Sequence, residues 1–211
     1  MLKHLWFDMA GTLYKETPEF QVAHDQLRYT TYAKLVGQSD SAKAKEEYEK
    51  LYAQHGSNSA VFRSLGQPSD FWMRAFEEMD VTTLLRPDPV IVETLAALKE
   101  QLPISIFTNF KREKVVALLE HLQIPSSLFT HTVTGDDVPE RKPDLAGFHR
   151  MIELSNVPAD QTMYVGDRVD VDIKPAKQLG MKTCLIYGES SEADYCVQSF
   201  GEVKKVVSQD A

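Results

Sequence analysis

Short apolar runs recur along the chain with helix-like stretches between them, and this alternation constrains the fold more than any other feature. We predict β-strands over residues 2–7, 104–108, 129–133, 162–165 and 183–187, with a sixth over 202–207. The intervening stretches place apolar residues at helical spacing, as at Ile91, Leu95 and Leu98 after Asp88. Strands that alternate with helices are typical of a parallel sheet covered by helices. The predicted fold class is therefore α/β, with a doubly wound parallel sheet.

Residues 15–86 interrupt this alternation because they contain no convincing strand. The segment is rich in Ala, Glu, Lys, Gln, Tyr and Leu, and its capping signals predict helices over 18–36, from 41 to about 55, and near 59–65 and 69–79. We expect residues 15–86 to form a helical cap domain, inserted into a Rossmann-like core of residues 1–14 and 87–211. An insert after the first strand leaves the sheet at its carboxyl edge, where open α/β sheets bind ligands.

Composition and charge favour a protein that acts on a small molecule. The 211 residues carry 23 basic and 31 acidic side chains, for a formal net charge of −8, and no basic run that suits nucleic acid. No stretch approaches the ~18 apolar residues of a membrane helix, and Asp8 interrupts the N-terminal apolar run before a signal-peptide core forms. We expect a cytoplasmic monomer or homodimer that binds neither nucleic acid nor membrane.

Polar side chains suited to metal and phosphate chemistry follow several predicted strands. Because the carboxyl ends of parallel strands meet at one edge of a sheet, we expect these side chains to converge there. Those with a predicted functional role are Asp8, Thr108, Asn109, Lys142, Asp167 and Asp172. Asp170, between the last two aspartates, is instead expected to be a solvated carboxylate near a helix N-terminus.

The converging carboxylates require a cation. Two carboxylates about 4 Å apart repel by roughly 4 kcal/mol at an effective dielectric constant near 20, so Asp8, Asp167 and Asp172 need positive charge among them. An all-oxygen donor set suits Mg²⁺. A magnesium ion beside a lysine and a hydroxyl can receive a phosphoryl group, and Asp8 can then attack phosphorus. The predicted partner is a small phosphorylated substrate.

Four segments carry a more specific resemblance. FDMAGTLY, FTNF, RKPD and VGDRVDVDIKPAKQLG occur in this order, and RPDPVIVETLAAL lies between the first two. Together they resemble the haloacid dehalogenase-like hydrolase superfamily, in the branch with a helical C1-type cap after the first motif. The resemblance covers nearly the whole chain. It implies Mg²⁺-dependent hydrolysis of a small phosphorylated metabolite through an aspartyl phosphate.

The same resemblance assigns expected roles to individual residues. The nucleophile is Asp8, and Thr108 and Lys142 would hold phosphoryl oxygens. The expected metal ligands are Asp8, the main-chain carbonyl of Ala10, Asp167 and, as the outer carboxylate, Asp172. The expected catalytic side chains are Asp8, Thr108 and Lys142, with Asn109 and Lys142 as substrate contacts.

Ala10 departs from the pattern of the family's phosphatases. They carry a second aspartate at this point, two residues after the nucleophile, as acid for the leaving group and base for the hydrolytic water. Losing such help typically costs about 10²- to 10⁴-fold in rate. An alanine still has the carbonyl expected to bind the metal. The sequence therefore predicts an intact metal site and slow hydrolysis, unless another acid replaces the missing one.

Three alternatives stay open. Phosphonoacetaldehyde hydrolases also have alanine here, but need a cap lysine for an imine, for which the candidates are Lys15, Lys34, Lys43, Lys45 and Lys50. Haloacid dehalogenases also lack the second aspartate, but they lack the metal-binding Gly-Asp pair found here at 166–167 as well. The third alternative is a catalytically impaired phosphate-binding or regulatory protein.

Overall fold

The computed structural model describes residues 1–210, which divide into two compact units. The first unit contains Met1–Lys15 and everything from Arg86 onward. The second unit is the segment Glu16–Leu85. No helix among residues 1–210 combines the length and the apolar character needed to cross a bilayer.

The first unit is built on a six-stranded sheet in which every pairing is parallel. The strands are β1 His4–Phe7, β2 Ile104–Phe107, β3 Thr132–Val133, β4 Thr162–Gly166, β5 Lys182–Ile186 and β6 Tyr195–Val197. Their spatial order is β3-β2-β1-β4-β5-β6, so the chain winds outward from β1 in both directions. This is the predicted doubly wound α/β fold.

Nine α-helices lie in residues 1–210. They are α1 Pro18–Val36, α2 Ser41–His55, α3 Asn58–Ser64, α4 Phe71–Glu77, α5 Pro89–Lys99, α6 Arg112–His121, α7 Leu145–Ser155, α8 Lys174–Gln178 and α9 Val203–Gln209. A π-helical turn, Val169–Ile173, leads into α8. Three short 3₁₀ turns cover Ser126–Leu128, Ala159–Gln161 and Phe200–Glu202.

Capping residues explain where several helices begin and end. The Asp88 side chain accepts a hydrogen bond from the backbone N–H of Val90 (2.9 Å), and Pro89 occupies the first turn of α5. In the second unit, Thr17 caps α1, and Gly37 ends it with a φ of 71°, a left-handed conformation that glycine adopts without steric cost. These signals are local, which is why the sequence predicts these boundaries closely.

Aromatic side chains form the centre of the core on one face of the sheet. Phe107 and Phe148 meet edge to face, with ring centroids 5.2 Å apart, and Phe148 lies equally close to Tyr164. Trp6 joins the same cluster and is fully buried. This packing fixes the carboxyl ends of β2 and β4, from which the candidate site is built.

The second unit has its own aromatic core. The Phe62 and Trp72 rings stack with their centroids 5.6 Å apart, and Phe76 also lies against Trp72. Tyr48, from α2, is buried and donates its hydroxyl to Asn58 Oδ1 (2.6 Å). The four helices α1–α4 thus have a hydrophobic centre of their own.

The predicted strand over 202–207 is wrong. This segment contributes to a 3₁₀ turn and to α9, and the sixth strand is Tyr195–Val197. Ser199 and Glu202 form a reciprocal capping box, which starts a helix, and Val203, Val206 and Val207 recur at helical spacing and are buried. The third strand is also shorter than predicted, because only Thr132–Val133 pairs with β2.

Candidate active site

Three aspartates converge where β1 and β4 end. Asp8 follows β1, and its backbone N–H donates to Val165 O of β4 (2.9 Å). Asp167 follows β4, and Asp172 lies in the π-helical turn after it. One carboxylate oxygen from each lies within 4.8 Å of the other two. We call Asp8, Asp167 and Asp172 the carboxylate cluster.

Lys142 supplies positive charge to this cluster. Its ammonium donates to Asp8 Oδ1 (2.7 Å) and to Asp172 Oδ1 (2.6 Å), and all three side chains are almost completely buried. A third hydrogen bond, of 2.8 Å, goes to the Tyr164 hydroxyl. Because an ammonium group has three N–H donors, those of Lys142 are fully used.

The pKa values of the cluster reflect burial and mutual repulsion. Burial raises the pKa of Asp167, and the nearby charges of Asp8 and Asp172 raise it further. Burial also raises the pKa of Asp8, although Lys142 opposes this. Burial alone would lower the pKa of Lys142, but Asp172 and Asp8 outweigh it and raise the pKa, so the ammonium stays charged. One ammonium therefore does not balance the three carboxylates.

The donor set fits a hard divalent cation. Asp167 Oδ1 is buried and has no hydrogen-bond partner within the described part of the chain, which leaves a carboxylate oxygen ready for a ligand. A Cβ atom at Gly11 would collide with the Asp167 carboxylate, and one at Gly166 would lie 2.6 Å from Asp172 Cβ. The backbone thus passes close to both carboxylates. An all-oxygen site of this kind suits Mg²⁺ better than softer metals.

Thr108 and Asn109 lie at the end of β2. Thr108 is buried, and its hydroxyl oxygen accepts a hydrogen bond from the backbone N–H of Phe110 (3.3 Å). The Asn109 side chain pairs with the main chain of Lys142: Nδ2 donates to Lys142 O (3.0 Å), and Oδ1 accepts from Lys142 N (2.7 Å). Asn109 therefore ties the lysine segment to the end of β2.

The comparisons with known proteins agree on the family. The family model described as haloacid dehalogenase-like hydrolase matches residues 5–186. This chain is a haloacid dehalogenase-like hydrolase. It is 29% identical over 235 residues to the glyceraldehyde 3-phosphate phosphatase of Methanocaldococcus jannaschii, covering 98% of this chain and 97% of that protein. It is also 29% identical over 194 residues to the phosphoglycolate phosphatase of Pseudomonas syringae pv. tomato, covering 88% of this chain and 70% of that protein.

A solved structure supports the fold of this hydrolase. The crystal structure of a HAD phosphatase from Thermococcus onnurineus superimposes with a TM-score of 0.70 at 22% identity, and 98% of each chain is covered. Together with the phosphatase relatives, the family match makes this chain a phosphatase-like hydrolase.

The structure brings most of the predicted side chains of this hydrolase into direct connection. Asp8 and Asp172 both contact Lys142, Asp167 lies beside them, and Asn109 holds the backbone of Lys142. The predicted carbonyl ligand, Ala10, lies in the turn after Asp8 and is partly exposed. Asp170 is exposed and pairs with Lys174 (2.8 Å), as expected for a solvated carboxylate.

Sequence reasoning missed Tyr164. It lies within β4, and its hydroxyl donates to Phe107 O (3.0 Å) while it contacts Lys142. In the sequence it belongs to a continuous apolar strand, where an aromatic residue is typical of core packing. Its position two residues before Gly166 placed it near the motif, but no local pattern pointed to the lysine.

Proposed function

We propose that this hydrolase is a Mg²⁺-dependent phosphatase of a small phosphorylated metabolite that works through a phosphorylated Asp8. The observation that carries the proposal is the carboxylate cluster, in which Asp8 and Asp172 are buried and the partly buried Asp167 has a buried, unpartnered oxygen. A buried ammonium contacts Asp8, the proposed nucleophile. The names of the relatives, phosphatases of glyceraldehyde 3-phosphate and of phosphoglycolate, support a small phosphorylated substrate.

In the proposed reaction, Asp8 attacks phosphorus in line with the leaving oxygen. A bond forms between an Asp8 carboxylate oxygen and phosphorus, and the bond from phosphorus to the leaving oxygen breaks. Lys142 and Thr108 hold the phosphoryl oxygens, and Lys142 also neutralises charge that develops there. Water then cleaves the acyl phosphate, which releases inorganic phosphate and regenerates Asp8.

Mg²⁺ is the proposed metal, held by Asp8, Asp167, Asp172 and the carbonyl of Ala10. When bound, it supplies charge that stabilises the transferring phosphoryl group. We assign the core to residues 1–14 and 87–211 and the cap to residues 15–86.

We expect Ala10 to slow this mechanism, because the side chain that would act as acid and base is missing. With no carboxylate there, the leaving oxygen takes its proton from solvent or from another acid, and the hydrolytic water lacks the usual base. We expect the largest loss for alkyl esters and the smallest for aryl and acyl phosphates, whose leaving groups need less protonation.

The imine alternative has less support than phosphate hydrolysis. Lys15, Lys34, Lys43, Lys45 and Lys50 are all exposed, and Lys43 and Lys50 pair with neighbouring glutamates on α2. An imine-forming lysine needs a lowered pKa, which comes from desolvation or from a nearby cation. Borohydride trapping with a phosphonate that carries an aldehyde group tests this route, because a covalent adduct on any of the five lysines would favour it.

Asp8→Asn provides the main test of the proposed function. We expect wild type to turn over p-nitrophenyl phosphate and acetyl phosphate with Mg²⁺ and to lose activity with a chelator. Asp8→Asn should lose turnover while circular dichroism shows a retained fold. Asp170→Asn, an exposed aspartate of the same segment, is the matched control and should stay near wild type. Full activity of Asp8→Asn, or phosphate trapped on another residue, would contradict the mechanism.

Metal binding can be tested without turnover. A ligand that binds only the folded protein raises its stability by mass action. We expect Mg²⁺ to raise the melting temperature of wild type and of Asp170→Asn but to have little effect on Asp167→Asn. An equal rise in all three proteins would argue against the carboxylate cluster as the site.

A further inference from the structure

The Tyr164 hydroxyl joins Lys142 to the strand that presents Thr108. The ammonium of Lys142 lies 2.8 Å from this hydroxyl, which in turn lies 3.0 Å from the main-chain oxygen of Phe107, the residue before Thr108. Every group in this chain of contacts is buried within the first unit. One phenol thus connects the two proposed phosphoryl contacts.

The donors and acceptors that each group offers fix the direction of these hydrogen bonds. A phenol has a single O–H donor, and its nearest pure acceptor is Phe107 O; Asp172 Oδ1 is more distant, at 3.5 Å. The phenol oxygen is then free to accept from Lys142, which can only donate. Tyr164 is therefore the one uncharged group among the three acceptors of the ammonium.

The other two acceptors change during the proposed reaction. Asp8 loses its negative charge when it becomes an acyl phosphate, and Asp172 is a proposed ligand of the metal. An N–H of Lys142 must also turn toward the incoming phosphoryl group, because all three are used in the present arrangement. The phenol neither reacts nor carries charge, so its contact with Lys142 can persist throughout.

We propose that Tyr164 is a positioning residue that holds the Lys142 ammonium beside the reacting phosphoryl group while Asp8 changes charge. The ring supports this role as well as the hydroxyl. The Lys142 ammonium lies 5.2 Å from the centroid of the Phe107 ring and 5.3 Å from that of the Tyr164 ring, so two aromatic faces border the cation. The catalytic part of this inference rests on the proposed function, whereas the contact between Tyr164 and Lys142 does not.

Tyr164→Phe tests the hydroxyl because it keeps the ring, which packs against Phe148 at 5.2 Å. Tyr195→Phe is the matched control: it removes a tyrosine hydroxyl that donates to Asp210 (2.9 Å) and makes no contact with Lys142. Without this hydrogen bond the Lys142 ammonium can shift, and a displacement of about 1 Å in a catalytic group predicts a fall of roughly 10- to 100-fold in kcat for Tyr164→Phe. KM should change less, because Tyr164 does not touch the substrate. Tyr195→Phe should keep the kcat of wild type.

A second measurement uses metal-free protein and needs no activity. In protein labelled with ¹⁵N at lysine, the buried ammonium of Lys142 should give a slowly exchanging signal, assigned by its absence in Lys142→Arg. Nuclear Overhauser contacts should connect it to the ring protons of Tyr164 and Phe107. The signal should exchange faster in Tyr164→Phe and stay unchanged in Tyr195→Phe. The contacts in wild type keep the inference testable even if Tyr164→Phe does not fold.

The outcomes separate this inference from the proposed function. If wild type hydrolyses no phosphate compound but the ammonium signal depends on the Tyr164 hydroxyl, the proposed function fails and the positioning contact stands. If wild type is active and Tyr164→Phe keeps its kcat within about threefold, the catalytic role of Tyr164 is refuted, since a displaced ammonium predicts a larger loss. An ammonium signal without contacts to Tyr164 overturns the inference altogether.

Discussion

His4 is predicted to make the first unit less stable in acid. It is buried on β1, its Nε2 atom lies 2.8 Å from Ser105 Oγ, and its ring stacks with Trp6 and His131. Burial lowers the pKa of His4 from 6.5 to about 4, with further contributions from the charges of His131 and Lys99. The folded protein therefore resists protonation of a group that the unfolded chain protonates readily.

The sign and size of the effect follow from proton linkage. Between pH 6.5 and about 4, the unfolded chain binds a proton at His4 that the folded chain does not, so stability falls as the pH falls. Between the two pKa values, the free energy of unfolding falls by about 1.4 kcal/mol for each unit of pH. The loss is about 2 kcal/mol near pH 5 and reaches about 3 kcal/mol once His4 is protonated in the folded protein as well. Because His131 and Lys99 are only partly buried, solvent screens their charges, and we expect the value near pH 5 to fall to about 1–2 kcal/mol.

His4→Gln removes the titration but keeps a polar group near Ser105. The chain has two tryptophans, Trp6 in the first unit and Trp72 in the second, so a Trp72→Phe background makes fluorescence report on the first unit. Urea unfolding with chelator present, near pH 7.5 and near pH 5, gives the free energy of unfolding at each pH. His149→Gln, which replaces an exposed histidine of the same unit, is the matched control.

The comparison between proteins isolates His4, because Asp8, Asp167 and other groups titrate alike in each. Wild type and His149→Gln should lose about 1–2 kcal/mol more than His4→Gln between the two pH values. An identical loss in all three would refute the reasoning, since it would mean that His4 is protonated as easily in the folded protein as in the unfolded chain.

Four further substitutions test packing, backbone conformation and the proposed chemistry. Gly147→Ala, normally stabilising within a helix, should instead cost about 1–3 kcal/mol in urea unfolding, because its Cβ would collide with the Phe107 ring; an unchanged midpoint would contradict this. Gln123→Gly should raise the free energy of unfolding by about 0.5–1 kcal/mol, because Gln123 is exposed and has a left-handed φ of 56°. Asn156→Gly should raise it less, because asparagine tolerates its φ of 51° better than glutamine would. If the missing acid limits the rate, Ala10→Asp should raise phosphomonoesterase activity by up to about 10²-fold. A rate equal to or lower than that of wild type would refute this explanation.

The sequence predicts the sheet well because its strands are buried on both faces. Each residue of β1, β2 and β4 is buried and most are apolar, so these strands appear in the sequence as nearly continuous apolar runs. The convergence of Asp8 and Asp167 follows from the parallel order of the strands rather than from any local signal. The sheet topology alone is therefore enough to predict that Asp8 and Asp167 lie close together.

The parts that were not predictable depend on tertiary contacts. The 202–207 segment is apolar enough for a strand, and only its capping box and the location of β6 show that it contributes to a helix. The pairing of the Asn109 amide with the backbone of Lys142 joins residues 33 apart in the chain, and no local pattern predicts it. The contact between Tyr164 and Lys142 likewise joins segments 22 residues apart, and nothing in either segment indicates it.

The charges at the carboxylate cluster argue for a single divalent ion. Three ionised carboxylates and one ammonium give the site a formal charge of −2, and burial, together with repulsion between the carboxylates, raises the pKa values of Asp8 and Asp167. One divalent ion brings the formal charge to zero, whereas two would leave it positive. Replacing Lys142 by a neutral residue would leave the metal-bound site at −1 and so oppose a phosphate dianion. In the proposed mechanism, Lys142 therefore helps to admit the substrate as well as to hold Asp8. Ala10 carries no charge and leaves this charge balance unaltered.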